Sequence, residues 1–179
     1  MLAKPKIQTT FEGVFPVRKT QKNRRNKRKR EMKNGIKITE ATCVDDALAE
    51  ALARLLPQLS QRASTPSPER LARIVADPSS HLFAAVGDDG LIAGMATLVI
   101  NEIPTGRKAW LEDVVVDENH RGQGLGRALV MHAVETARAC KAGQIALTSN
   151  PSRTAARRLY ADCGFEEAGT TVFKLNTND

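Results

Sequence analysis

The chain has 179 residues, of which 41% are hydrophobic and only 4% are aromatic, so we expect one domain with an aliphatic core. Its longest apolar run covers residues 91–100, about half of the ~20 residues that a membrane helix requires, and this excludes a membrane-spanning helix. The cysteines Cys43, Cys140 and Cys163 lie far apart without metal-ligand spacing, which argues against a disulfide scaffold and a structural zinc site.

The formal net charge of +7 is concentrated at the N-terminus. Residues 1–33 carry twelve basic and two acidic residues, a net charge of +10, whereas residues 34–179 carry fifteen basic and eighteen acidic residues, a net charge of −3. We therefore expect residues 1–35 to be a disordered basic tail and residues 36–179 to form the folded domain. No apolar stretch follows the basic residues, so they do not form a secretory signal, and we expect a cytoplasmic protein.

Three interpretations of the basic tail stay open. It is an arm that binds nucleic acid or another polyanion weakly through residues 18–33, or that targets the nucleus. Alternatively, it is a solvated extension without a function, or it lies upstream of the true translation start at Met32.

The first half of the folded domain is predicted to alternate between strands and helices. Residues 36–39 form a short strand, and apolar residues at helical spacing between residues 47 and 56 predict a helix. A capping-box pattern at residues 42–45 predicts the start of that helix. A second helix is predicted at residues 69–76, and residues 81–86 and 91–100 form a hairpin around an Asp-Asp-Gly turn.

The second half continues this alternation to the C-terminus. Residues 108–116 are predicted to form a strand and residues 124–140 a helix with an apolar stripe. A strand at residues 144–148 then precedes a helix at residues 151–163, which begins with proline after an asparagine cap and ends near a glycine. A last strand is predicted at residues 171–175.

One segment carries a recognisable chemical pattern. The strand Glu112-Asp-Val-Val-Val-Asp117 leads into Arg121-Gly-Gln-Gly-Leu-Gly126, which opens a helix. Glycines allow a ligand to approach the backbone, and the free N–H groups and dipole of a helix N-terminus attract anions such as phosphate. A dinucleotide fingerprint is excluded because Arg127 stands where its last glycine should be, and no P-loop pattern occurs.

This segment resembles the acetyl-CoA pyrophosphate loop of the GNAT superfamily of N-acyltransferases, whose pattern is Gln/Arg-x-x-Gly-x-Gly/Ala. The later sequence Leu159-Tyr-x-x-Cys-Gly-Phe165 is similar to the end of the fourth helix of that family. The resemblance covers most of residues 36–175 and implies the GNAT fold, a mixed α/β (α+β) architecture. Its central, mostly antiparallel sheet has about six or seven strands, splayed between the fourth and fifth, and about four flanking helices.

The resemblance also implies which residues bind acetyl-CoA, the co-substrate, without a metal ion. The backbone of the strand before the loop would hold the pantetheine arm, and the loop amides with their arginines would bind the pyrophosphate. The family often has asparagine seven residues before its catalytic tyrosine, where this chain has Arg153. Arg153 would then contact a CoA phosphate or an acidic acceptor instead, or Asn150 would take over the contact with CoA. The implied cofactor-binding residues are Val114, Val115, Val116, Arg121, Gly122, Gln123, Gly124, Leu125, Gly126, Arg127, Asn150 and Arg153.

The implied catalytic residues lie on the same two motifs. Tyr160 matches the general acid that protonates the departing CoA thiolate, and the alternative is a tyrosine that only packs in the core. Glu112 is the candidate base for the attacking amine. Asp113 ranks second as a base, because strand alternation places it on the opposite face unless a bulge intervenes, and it is also a candidate substrate-binding residue. The alternative for either carboxylate is a charge paired with a basic side chain. Trp110 shares the face of Glu112 and would line the acceptor pocket or serve in ordinary packing.

The expected activity is that of an acyltransferase, an N-acetyltransferase that moves the acetyl group of acetyl-CoA to a primary amine of a small molecule by direct attack. The segment at residues 112–117 is most similar to glucosamine-6-phosphate N-acetyltransferases and their small-molecule relatives. Two alternatives stay open, a protein amine as the acceptor and a non-catalytic acyl-CoA-binding regulatory module. The expected state is a monomer or homodimer without a membrane partner, and the first two helices show no pattern that predicts chemistry.

Overall fold

A five-stranded sheet forms the centre of the protein in a computed structural model that describes residues 37–60, 63–87 and 90–177. The predicted basic tail and most of the predicted hairpin turn at residues 88–90 lie outside these ranges. The described elements in chain order are β1 (Lys37–Glu40), α1 (Asp46–Leu59), α2 (Pro68–Ala76), β2 (Ser80–Val86), β3 (Ile92–Ile103), β4 (Gly106–Val116), α3 (Leu125–Ala139), β5 (Gln144–Ala146) and α4 (Thr154–Asp162).

The strands are ordered β1-β2-β3-β4-β5, and only the last pair is parallel. That pair is short, because β5 is in register with Lys108 to Trp110 of β4 and with nothing beyond. β4 continues past this point to Val116, so the two strands separate where β5 ends. The predicted splay between the fourth and fifth strands is thereby confirmed, as is the mixed architecture with four helices.

The number of strands is lower than predicted in the described part of the chain. Residues 171–175 were expected to form a last strand, but they have no regular secondary structure there. Their apolar side chains stand in solvent, with Phe173 93% exposed and Leu175 86% exposed. The segment has the composition of a strand, yet no described strand pairs with it, and composition alone does not supply a partner.

Two hydrophobic clusters cover the two faces of the sheet. On one face, α1 and α2 pack on the sheet through residues that include Leu52, Leu55 and Leu71. On the other face, α3 packs on β3 and β4 through Leu129 and its neighbours, and the Tyr160 ring of α4 joins this cluster. The core is aliphatic, as the composition predicts.

A β-bulge interrupts β4 at the residues that the sequence marks for chemistry. Thr97 of β3 is paired with Glu112 and Met95 with Val115, so two residues of β4 lie opposite the single residue Ala96. The extra residue is Asp113, whose φ of 52° is in the left-handed region that aspartate tolerates better than most residues. The bulge resets the alternation, so Val115 packs in the cluster under α1 and α2.

Two predicted helix starts require correction. The cap of α1 is Asp45, whose side chain accepts a hydrogen bond from the Leu48 N–H at 2.8 Å, and the predicted capping box at residues 42–45 is wrong. α4 begins at Thr154, three residues later than predicted. Asn150 does not cap the helix, because its side chain accepts hydrogen bonds from the N–H and hydroxyl of Ser152 and forms a turn before α4.

Candidate functional site

A groove of about 640 Å³ opens beside the end of β4, beyond the residues that pair with β5. The end of β4 forms its floor, and the N-terminal turns of α3 and α4 form its two sides. The sequence-predicted residues that line it are Val114, Val115, Val116, Arg121, Gly122, Gly124, Leu125, Gly126, Arg127, Arg153 and Tyr160. Residues predicted from two distant motifs therefore meet in one cavity.

The N-terminus of α3 faces this groove without a side-chain cap. Gly124 occupies the cap position with a φ of 83°, which favours glycine, and because glycine has no side chain the cap residue accepts no hydrogen bond from the first turn. The first turn contains no acidic residue but does contain Arg127, although the positive end of a helix dipole disfavours cations. This combination of uncapped N–H groups and a guanidinium group suits a bound anion.

Gly126 allows α4 to approach α3 closely beside the groove. A Cβ atom at this position would lie 3.1 Å from a methyl group of Leu159 and 3.7 Å from Val116. The approach carries Arg153, at the start of α4, to the same groove as Arg121 and Arg127. Three arginines therefore line the cavity, and their positive charges suit a ligand with several phosphate groups.

Tyr160 is positioned by the way in which α4 ends. The Phe165 N–H donates to the Tyr160 carbonyl at 3.0 Å and the Gly164 N–H to the Ala161 carbonyl at 2.9 Å, the two hydrogen bonds of a Schellman motif. The Phe165 ring then packs edge-on against the Tyr160 ring, with 6.1 Å between centroids. The Gly-Phe pair of the second motif therefore has a physical role, since it fixes the tyrosine.

The environment of Tyr160 keeps its hydroxyl protonated. Burial raises the pKa of Tyr160, the Arg153 charge opposes this, and the Cys163 and Glu112 charges raise the pKa further. The residue is 8% exposed and lines the groove. A neutral hydroxyl in this position can donate a proton at neutral pH.

Glu112 and Asp113 lie at the bulge next to the groove, although neither belongs to its lining. Both residues retain contact with solvent. Partial burial, and secondarily the Asp113 charge, raises the pKa of Glu112, and partial burial also raises the pKa of Asp113. Neither carboxylate is in an ion pair with a described residue, so these two negative charges are not neutralised within the described ranges.

The remaining predicted residues lie outside the groove lining. Trp110 is half-buried at the last pair that joins β4 to β5, and Gln123 is exposed in the loop before α3. Asn150 forms the turn before α4 instead of contacting the cavity.

The groove also contains residues outside the predicted set of site residues. Gln58 of α1 and His120 of the short turn Glu118–His120 both line it, as does Ser152. The Nδ1 atom of His120 is buried without a hydrogen-bond partner among the residues that the structure describes. No local pattern marks Gln58, because its contribution depends on a contact with a loop 60 residues away.

Within the described ranges, no group of three or more His, Cys, Asp or Glu side chains is placed to hold a metal ion. None of the helices described has both the length and the apolar character needed to cross a membrane.

Comparisons with known proteins agree on one family. A model of the acetyltransferase (GNAT) family matches residues 46–165. The chain is 37% identical to streptothricin acetyltransferase of Streptomyces lavendulae over 97 residues, 51% of this chain and 50% of that protein. It is 36% identical to glucosamine 6-phosphate N-acetyltransferase 1 of Oryza sativa subsp. japonica over 116 residues, 62% of this chain and 67% of that protein. The chain thus matches between half and two thirds of the length of these relatives.

Solved structures share the fold at lower identity. An aminoglycoside acetyltransferase from an uncultured soil metagenomic sample superposes with a TM-score of 0.71 at 20% identity, covering 82% of this chain and 99% of that one. Glucosamine-6-phosphate N-acetyltransferase from Arabidopsis thaliana superposes with a TM-score of 0.65 at 20% identity, covering 78% and 97%.

Proposed function

Because the chain belongs to the GNAT family of acetyltransferases, we propose that it is an enzyme that transfers the acetyl group of acetyl-CoA to a primary amine of a small molecule. The observation that carries the proposal is the groove itself. It is lined by the N-terminus of α3 and three arginines, and also by the buried residue Tyr160. The phosphate groups of CoA suit the helix N-terminus and the arginines, and a departing thiolate needs the proton of the Tyr160 hydroxyl.

Residues in and beside the groove have separate roles in the proposed reaction. The backbone of Val114 to Val116 binds the pantetheine arm where β5 leaves β4 unpaired, and the Val114 N–H donates to the thioester oxygen as charge develops on it. The amine attacks the carbonyl carbon while Glu112 accepts its proton, directly or through a water molecule. The C–S bond then breaks, and Tyr160 donates its proton to the sulfur.

The charge near the bulge supports a cationic acceptor. Glu112 and Asp113 are solvent-accessible, and no described cation is in an ion pair with either of them. A molecule that carries several amines would compensate both charges, whereas a phosphorylated amino sugar would place a third negative group beside them. We therefore favour polycationic amines over phosphosugars, and we place the enzyme in the cytoplasm as a monomer or homodimer.

Calorimetric titration of the full chain with acetyl-CoA, followed by CoA-thiol release over a panel of amines, tests this proposal. We expect saturable binding and the highest kcat/KM with a polyamine or aminoglycoside, about tenfold or more above that with glucosamine 6-phosphate. Preference for the phosphosugar would overturn the choice of acceptor, and preference for lysine peptides would indicate a protein acceptor. Binding without turnover would indicate a regulatory module, and absence of binding would refute the cofactor assignment.

The role of Glu112 as a base has its own test in Glu112→Gln. We expect kcat/KM at neutral pH to fall by about ten- to a hundredfold. In the unsubstituted enzyme the activity rises with pH as Glu112 loses its proton, and because the pKa of Glu112 is raised, this rise occurs above the ordinary glutamate range. The substitution removes that limb of the pH profile. Asp113→Asn is the matched variant, and loss of the limb there instead would assign the base to Asp113.

A further inference from the structure

Two side chains of α1 reach the segment that leads into the cofactor loop. Arg54 and Gln58 are four residues apart on the helix and therefore lie side by side on one face. The neighbouring residues Leu55 and Leu56 are buried and anchor this turn of α1 to the sheet. Any contact made by Arg54 or Gln58 therefore joins the cofactor loop to a fixed part of the core.

Arg54 holds the beginning of that segment. Its guanidinium group forms an ion pair with Asp117, whose side chain is 4% exposed, and also donates to the Ile92 carbonyl at 2.7 Å. Asp117 in turn accepts from the Asn119 N–H at 3.0 Å, and its own N–H donates to the Ala93 carbonyl at 2.9 Å. Asp117 is thereby bound to α1, to β3 and to the turn that follows it.

Gln58 holds the rest of the segment and touches the groove. Its Oε1 atom accepts from the Glu118 N–H at 2.9 Å and from Nη2 of Arg121 at 3.4 Å. Its Nε2 atom donates to the Arg54 carbonyl at 3.2 Å, which orients the amide. The Nε atom of Arg121 also donates to the Val116 carbonyl at 3.3 Å, so the Arg121 side chain is held between α1 and the end of β4.

We propose that Gln58 is a positioning residue of the cofactor site, which sets the Arg121 guanidinium and the Glu118–His120 turn for the diphosphate of CoA. Gln58 itself lines the groove beside Arg121, so it contributes at the diphosphate end and not at the thioester end. The inference rests on the proposed function, because it assigns Gln58 to the acetyl-CoA site. The effect of Gln58 is therefore confined to ligands that carry the diphosphate.

Two substitutions separate this role from simple support of the fold. Gln58→Ala removes the acceptor, and we expect the Kd and KM for acetyl-CoA to rise by about five- to tenfold while kcat at saturation changes by less than about twofold. Gln58→Glu keeps an acceptor oxygen, replaces the amide donor with a second oxygen, places a negative charge beside the diphosphate and competes for Arg121. We expect a loss of about tenfold or more, which shrinks as the salt concentration rises.

The matched control is Ala53→Glu, which introduces the same charge at an exposed position of the same helix. We expect it to change acetyl-CoA affinity by less than about twofold. S-acetylpantetheine, which lacks the diphosphate, serves as the second donor, and its KM should be unchanged by either Gln58 variant.

Equal losses with both donors, or wild-type affinity for acetyl-CoA in Gln58→Ala, would overturn the inference. The unsubstituted chain is titrated with acetyl-CoA in the same experiment. Absence of binding there would refute the proposed function itself, and the two failures are thereby distinguished.

Discussion

Replacing Tyr160 with phenylalanine is expected to lower kcat by about a hundredfold or more, because the leaving thiolate loses its proton donor. The substitution retains the ring that packs against Phe165 and in the core, so the helix end and the groove keep their shape. Steady-state kinetics at saturating acetyl-CoA and acceptor measure the effect, and calorimetry should show that affinity for acetyl-CoA changes by less than about twofold.

The pH profile adds a second readout for Tyr160. Because burial raises the pKa of this side chain, the hydroxyl keeps its proton to higher pH than a free tyrosine. Activity that depends on it should therefore not decline below the ordinary tyrosine range near pH ~10. Unchanged kcat in Tyr160→Phe would show that the residue only packs in the core, and the proton would then have to come from elsewhere.

Replacing Asp117 with alanine is expected to lower the free energy of unfolding by about 2 kcal/mol. The substitution leaves Arg54 without its ion-pair partner and the Asn119 N–H without its acceptor. The Arg54 side chain is 35% exposed, so water solvates part of its charge, and the loss stays below the ~3–5 kcal/mol of fully buried pairs. Urea denaturation followed by circular dichroism measures the change.

Glu102→Ala is the matched control for Asp117→Ala. Glu102 also forms an ion pair with an arginine, Arg107, but its side chain is 65% exposed. Surface pairs of this kind contribute roughly 0–1 kcal/mol. An equal change in the free energy of unfolding for the two substitutions would show that the Arg54–Asp117 pair stabilises the fold no more than a surface ion pair does.

Features that depend on neighbouring residues were predictable from the sequence. A contiguous sequence pattern determines the loop from Arg121 to Gly126 and the start of the helix that follows it. Both lie where that pattern predicts. The same is true of the Gly164 C-cap, which satisfies the last carbonyls of α4 within six residues. Local hydrogen bonding determines these features, so a single sequence is enough to identify them.

Features that depend on tertiary contacts were not predictable. Gln58 belongs to the groove because it accepts hydrogen bonds from Glu118 and Arg121, which are distant in the sequence. No pattern in the residues around Gln58 predicts these hydrogen bonds. The bulge at Asp113 is one extra residue in an otherwise regular strand, visible only once the register with β3 is known. The Asn150-Pro151 pair is typical of a helix start, but the Asn150 side chain formed a turn with Ser152 instead.

The short parallel pairing of β5 has a consequence for the motions of the protein. Only Lys108, Ala109 and Trp110 of β4 are in register with β5, so β5 can detach at a low free-energy cost compared with the strands at the centre of the sheet. If the pantetheine arm lies in the gap beyond these residues, it bridges the two strands and extends their pairing. We then expect amide hydrogen exchange in β5 to slow when CoA is bound. Release of CoA would be coupled to local opening of the sheet at β5.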